Sequence, residues 1–485
     1  MYSERERERA APGVIVPAMT DRTRTLRVDD PFTGEVACEL PLATEAEAMA
    51  AVDRAAAAQR AWARVPVTER AALVRRFGEA LTARREEVAR DITRQMGKPI
   101  AEARGEVGTC VARATHLASI AEETLADERL PGKAGFERFI AREPLGVVVD
   151  VAPWNYPLLT AVNVVAAAVL AGNAVVLKHA SRTPLCAGHF ARAFREAGAP
   201  EGLVEPLVAG HEVVAKVLAR PEVALAALTG SNAAGREVHR AAAQRLLPVV
   251  LELGGKDAAY VAEDADLAFA VPNVVEGAFY NAGQSCCGVK RIYVHAKVHS
   301  EFVAAALAAA KGYSPGDPAA DATTLGPLAT PEAPGELAAQ VADARARGAR
   351  VLCGGEPATL GGRGRFFLPT LIAGAPPGAA VVREESFGPL AIVEPVADDD
   401  EAVARVNASR YGLSASVWTR SEERALRLGR RIEAGTVYMN RCDYLDPALP
   451  WVGWKDSGLG LSLSRHGLLA LTRAKSFHLR VTTGS

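Results

Sequence analysis

Between about residues 45 and 125 apolar positions, many of them alanine, recur every three to four residues, the period of amphipathic helices. Thr44-Glu45-Ala46-Glu47 carries a capping-box signature at the start of the first, and further helices are predicted over 69–82, 84–96 and 100–125, with Gly97 and Pro99 punctuating the chain between the last two. The period then shortens. Residues 136–143 alternate like an exposed ribbon strand, and 146–151 form an apolar run suited to a buried one. From there the patterns alternate: helix 158–171, strand 174–178, helix 184–197, strand 203–208, helix 212–219, strand 224–228, helix 234–245. Short apolar strands between amphipathic helices predict a parallel sheet covered on both faces. Such sheets bind ligands at the carboxyl ends of their strands, where Pro153-Trp154-Asn155, Lys178 and Gly230-Ser231 fall. A second α/β run extends from about 249 to 437, with an Ala/Arg-rich helix over 338–350, and 475–481 reads as a closing strand.

The stretch 151–177 carries no charge and is long enough to span a bilayer, yet Pro153, Asn155, Pro157, Asn163, Gly172 and Asn173 interrupt it. It is predicted to hold a helix and the start of a buried strand, and no membrane span is expected. At 485 residues, 49% hydrophobic and 23% charged, the chain has enough apolar surface for two or three domains. Lys+Arg 56 against Asp+Glu 57 leave a net charge of -1, so no field favours nucleic acid. The seven cysteines are scattered without a C-x-x-C pair, which fits a reducing cytosol, so a cytoplasmic protein is expected. The nine histidines show no ligand spacing, and no metal site is predicted. Residues 3–9 alternate charge without the apolar core of a signal peptide and read as a solvated tail.

Chemistry concentrates at two places. Phe279-Tyr280-Asn281-Ala282-Gly283-Gln284-Ser285-Cys286-Cys287-Gly288 puts a thiol after a Gly-Gln-Ser turn, and Leu251-Glu252-Leu253-Gly254-Gly255-Lys256 puts one acid at an apolar strand. A thiol and a carboxylate are the groups needed to make and hydrolyse a thioester. An isolated free cysteine is more often a buried small hydrophobe, but glycines and polar side chains bracket Cys286. Cys287 is assigned no chemistry. Burial of Glu252 would lift its pKa toward neutrality, which suits a general base. Taken singly, Asn155 reads as a turn residue before Pro157, and Gly230 to Gly235 as an ordinary helix start.

Four further segments fall in register with these two: Pro153-Trp154-Asn155-Tyr156-Pro157, Leu177-Lys178-His179-Ala180-Ser181, Thr229-Gly230-Ser231-Asn232-Ala233-Ala234-Gly235 and Glu384-Glu385-Ser386-Phe387-Gly388-Pro389. With them, and with the closing segment 450–458, the chain from about 30 to 480 resembles the aldehyde dehydrogenase superfamily. The resemblance implies an α/β fold: a Rossmann-like NAD(P)-binding domain (1–123 and 145–253), an α/β catalytic domain (254–469) and a small β oligomerisation arm (124–144 and 470–485). A homodimer or homotetramer is implied. So is a reaction in which Cys286 attacks an aldehyde, Asn155 and the Cys286 N–H hold the oxyanion of the thiohemiacetal, hydride leaves for the nicotinamide, and water activated by Glu252 hydrolyses the thioester. Lys178 would help organise the site.

On the cofactor side the resemblance implies contacts from Trp154, Lys178, Ser181, Gly230, Ser231, Gly235, Glu385 and Phe387. Ser181 stands where NAD-strict relatives carry glutamate, with His179 and Arg182 beside it, so NAD or NADP, with dual or NADP-leaning use, is expected. Tyr156, Thr160, Asn163, Phe279, Tyr280, Cys442 and Tyr444 are expected to line the substrate channel. Arg441 would either meet an acidic substrate tail or face solvent. Two other readings compete. A CoA-acylating relative would resolve the thioester with a thiol, against which Glu252 speaks, and a non-catalytic structural or binding member would have lost residues that this chain retains.

Overall fold

The computed structural model describes residues 25–482. Two large sheets organise it. The first runs in the spatial order Gly458–Leu459, Val249–Glu252, Val223–Thr229, Val147–Ala152, Ala174–His179, Val204–Pro206. All its pairings are parallel except that of Gly458–Leu459, which lies antiparallel to Val249–Glu252. Val147, Val148 and Val149 are at most 1% exposed, as expected of β-branched strands covered on both faces. The helix Pro157–Leu170 begins with proline at its first position, where no amide hydrogen is needed, and is buried nearly all round because it lies between the sheet and the helices Val67–Ala83 and Ile100–Leu125.

The second sheet has seven strands in the order Arg350–Cys353, Thr370–Ala373, Leu390–Val396, Val289–His295, Asp257–Val261, Ser414–Trp418, Thr436–Met439, parallel apart from the first pair. Its faces are packed by separate apolar clusters, one built around Phe279, Phe302 and Trp418. The ribbon strand Phe136–Pro144 pairs antiparallel with Thr472–Arg480 along nine residues, and the two-residue strand Glu128–Arg129 lies on its other side. Phe139 and Phe477 stack across the long pairing at 4.4 Å.

Thr44 caps the helix Glu45–Trp62 with a capping box, and Gly97 ends Arg85–Met96 in the left-handed conformation (φ 83°). Ahead of the first helix the chain holds two strands that no sequence pattern announced. The strands Thr25–Asp29 and Val36–Pro41 form a hairpin whose turn is held by Asp30 Oδ1, accepting from the N–H groups of Phe32 (2.8 Å) and Thr33 (3.2 Å). Each strand is too short and too exposed to reveal a period. The charged tail at 3–9 lies outside the described residues. Among those described, no helix is long and apolar enough to cross a membrane.

Candidate active site

The helix Leu267–Phe279 ends in a single turn, Tyr280–Gly283, in which Asn281 and Ala282 both take φ of 52° and Gly283 takes 67°. Left-handed backbone costs an L-residue energy, so packing must hold this turn. A Cβ on Gly283 would lie 2.1 Å from the Gly388 carbonyl oxygen, which admits only glycine. Buried Lys290 donates from Nζ to the carbonyls of Gly283 and Gly388, both at 2.8 Å. Gln284 Oε1 accepts from the Ala329 N–H (2.9 Å), and the Asn281 N–H donates to Glu102 (3.1 Å). Gly255 lets the Glu252 segment run against the cysteine, since a Cβ there would meet the Cys286 carbonyl oxygen at 2.0 Å.

Thus two segments distant in sequence meet. The Cys286 N–H has no hydrogen-bond partner among the described residues. Asn155 Nδ2 donates once, to the Gln284 carbonyl at 3.1 Å, leaving its second hydrogen unclaimed. Cys287 is different. Its Sγ donates to Asp443 Oδ1 at 2.9 Å, as does Ser285 Oγ. Hydrogen bonding to Cys286, then burial and the Asp443 carboxylate, push the Cys287 thiol well above its ordinary pKa and keep it protonated.

Glu252 closes its strand at 8% exposure. Burial raises its pKa, while a hydrogen bond from the Ser462 hydroxyl, the charge of Arg113 and Thr229 pull in the other direction. The antiparallel pairing of Gly458 with Glu252 brings the Ser462 loop to it.

Two spaces meet at Cys286 and Thr229, which line both. The larger is a groove of about 1250 Å³ at the carboxyl ends of the first sheet, lined by Trp154, Asn155, Lys178, Ser181, Gly230, Ser231, Glu385 and Phe387. Lys178 is buried, its Nζ makes no hydrogen bond among the described residues, and desolvation holds its pKa below the ordinary lysine value. Ser231 caps the helix Asn232–Ala243, accepting from the Ala234 N–H (3.2 Å). Glu385 Oε1 accepts from the Gly255 N–H at 3.0 Å, and Trp154 meets Phe387 edge-on at 5.3 Å.

Two expectations on this side are corrected. Gly235 does not line the groove; a Cβ there would meet Leu253 at 2.5 Å, so its place is in helix-to-strand packing. Nor do two free cations flank Ser181. His179 is buried, its pKa pushed down to about 4 by desolvation, with Nε2 at 2.8 Å from the Pro157 carbonyl. Arg182 is tied to Asp29 at 2.5 Å, and Asp29 also binds Arg365 at 2.7 Å.

The smaller space is a cavity of about 520 Å³ lined by Tyr156, Thr160, Asn163, Tyr280, Cys442 and Tyr444 together with Cys286 and Glu252. Phe279 is absent from its wall. That side chain is fully buried beneath the second sheet, edge-on to Tyr313 at 5.5 Å, because the chain turns between it and Tyr280. Among the charged lining residues, sequence reasoning missed Arg113, Glu276 and Asp443. For Arg113 a signal existed: it falls in the stripe Val107, Cys110, Ala114, Leu117 that buries the helix Ile100–Leu125. It also missed Glu106. This buried acid pairs with Lys98 and accepts from the N–H groups of Leu158 (2.8 Å) and Leu159 (3.3 Å), fixing the start of the helix that follows Asn155.

Away from the site, Glu87, Asp91 and His189 gather donor atoms, but His189 is bonded to Asp91 (2.8 Å) and Arg84 to both Glu87 (2.7 Å) and His189 (3.3 Å). These atoms already satisfy one another.

A thiol on a rigid turn beside unclaimed N–H donors, a buried acid in the wall of the same cavity, and a separate space on each side of the thiol form an arrangement that has the groups needed to work on a carbonyl compound. The chain belongs to the aldehyde dehydrogenase family, whose model matches residues 18–477. It is 39% identical over 447 residues to a probable NADP(+) succinate-semialdehyde dehydrogenase of Synechocystis sp., covering 92% of this chain and 98% of that one. It is 38% identical over 446 residues to the NADP(+) succinate-semialdehyde dehydrogenase of Deinococcus radiodurans, covering 92% and 93%. The crystal structure of an NAD-dependent aldehyde dehydrogenase from Sinorhizobium meliloti superposes with a TM-score of 0.91 at 34% identity, covering 95% of this chain and 92% of that one. The protein is an oxidoreductase that converts an aldehyde to its acid.

Proposed function

We propose that the enzyme oxidises an ω-oxo carboxylic acid, with succinate semialdehyde as prototype, to the diacid, using NADP+ at least as well as NAD+. The likeness to NADP(+) succinate-semialdehyde dehydrogenases over 92% of the chain carries this reading. Cys286 attacks the aldehyde carbon as thiolate. The Cys286 N–H and the free Asn155 Nδ2 hydrogen stabilise the resulting oxyanion, donors of a kind worth roughly 2.7–4 kcal/mol each in the transition state. When bound in the groove, the nicotinamide dinucleotide supplies the two-electron acceptor that turns the thiohemiacetal into a thioester. Glu252 then takes a proton from water as the water attacks the thioester carbon, and Cys286 departs as thiolate.

The groove fits that cofactor. Lys178, an unpaired cation, serves the adenosine ribose, Glu385 the nicotinamide ribose, Gly230 and Ser231 the pyrophosphate at a helix start, and Trp154 and Phe387 the ring's surroundings. Ser181 brings no carboxylate that would repel a 2′-phosphate. Cofactor binding then centres on the first sheet, and catalysis joins Asn155 and Glu252, at strand ends of that sheet, to Cys286, which precedes the strand Val289–His295 of the second. The arm strand Thr472–Arg480 lies at a sheet edge, and such long edges are ordinarily paired, which supports a homodimer or homotetramer; seven free cysteines support a cytoplasmic setting.

A panel of ω-oxo acids and matched neutral aldehydes, assayed with each cofactor and with added CoA, tests the proposal. Preference for the acids, NADP+ turnover no slower than NAD+ turnover, and a free diacid product are expected. A hundredfold preference for NAD+, or acyl-CoA as product, would contradict it.

A further inference from the structure

Arg113 lines the aldehyde cavity at 5% exposure, and its hydrogen bonds are incomplete. A guanidinium carries five N–H hydrogens and no acceptor, so a buried one needs oxygen atoms around it. Nη1 donates to the Leu159 carbonyl (2.9 Å) and to Asn163 Oδ1 (3.2 Å). Nε is buried without a partner, and Nη2 makes no hydrogen bond among the described residues. Asn163, 2% exposed and oriented by Arg113, leaves its own Nδ2 buried and unpartnered. Unmet donors therefore converge from two helices beside one cavity.

The neighbouring acids do not fill the gap. Glu106 is committed to Lys98 and to the helix start, Glu252 accepts from Ser462, and no ion pair to Arg113 exists among the described residues. Unpaired buried donors are costly, and a buried charge more so, which makes an anionic acceptor the natural complement. Arg441 is a poorer anchor: it is solvent-exposed and stacks over the Tyr444 ring at 3.4 Å, where water weakens its hold on an anion.

We propose that Arg113, oriented by Asn163 and joined by the Asn163 amide, docks the carboxylate of the substrate while the aldehyde end meets Cys286 in the same cavity. This rests on the ω-oxo acid reading above. Discrimination against a neutral aldehyde follows because only the acid satisfies these donors.

The test compares kcat/KM for succinate semialdehyde with that for butanal in the wild type, Arg113→Met and Arg113→Lys. The expected result is a fall in the acid-to-neutral ratio on the order of 30-fold in R113M, chiefly through KM for the acid, with R113K recovering part of it. A purely structural arginine would depress both substrates together and leave the ratio where it was, overturning the assignment. Should R113M not fold, as judged by its melting transition, R113K and Asn163→Ala read the same ratio, and no change in either overturns it. If the wild type itself does not prefer the acid, the substrate class falls and Arg113 with it. If the wild type prefers the acid and R113M still does, only the Arg113 assignment falls.

Discussion

The groove and the cavity that meet at Cys286 are built differently. The groove is made chiefly from strand ends, a helix start and glycines, with charged side chains such as Arg27, Glu237 and Arg240 also in its wall, and Lys178 is its one buried cation without an ion pair among the described residues. Its shape follows from the topology of the first sheet, so it suits a ligand common to many enzymes of this fold. The cavity draws charged and polar side chains from elements far apart in sequence: Arg113 and Glu106 from Ile100–Leu125, Glu276 from Leu267–Phe279, Asp443 from a loop near the carboxyl terminus. That is where specificity for one aldehyde over another has room to vary without disturbing the scaffold.

The contrast can be broken from either side. On the groove side, Ser181→Glu places a carboxylate where a 2′-phosphate would lie. The ratio of kcat/KM with NADP+ to that with NAD+ is expected to fall on the order of 10- to 100-fold, with the aldehyde preference intact. An unmoved ratio would mean that Ser181 is outside the cofactor contact. On the cavity side, Ser462→Ala removes a hydrogen bond that favours the charged form of Glu252. The Glu252 pKa, already raised by burial, rises further. A base must be unprotonated to act, so the acidic limb of the deacylation rate profile is expected to move up by about one pH unit. A limb that stays in place would remove Glu252 from that step.

The same contrast explains what could be read from the chain. Cys286, Glu252, Asn155, Lys178 and the Gly230-Ser231 turn lie in contiguous segments whose residue types have few other uses together, and the structure gathers their segments around one thiol. The parallel sheet and most helices followed from periodicity to within a few residues. What was illegible depends on tertiary contact. No local pattern reports that Gly458–Leu459 returns to the Glu252 strand, bringing Ser462 with it, or that Arg182 turns toward Asp29. Phe279 and Tyr280 are neighbours in sequence, but a left-handed turn sends one into the core and the other into the cavity. The hairpin before residue 42 was hidden by its brevity; Arg113 was marked by its place in a buried helix stripe, but what its donors face is set by tertiary contact.

The central claim is that Cys286, and not the adjacent Cys287, carries the acyl group, and that Glu252 directs it to water. Glu252→Gln should stall the enzyme after acylation. Incubated with succinate semialdehyde and NADP+, quenched in acid and digested, it is expected to give a burst of NADPH near one equivalent and a succinyl mass addition on the 286–287 peptide that fragmentation assigns to Cys286. An addition on Cys287, or steady turnover by E252Q at the wild-type rate with no adduct, would contradict the account.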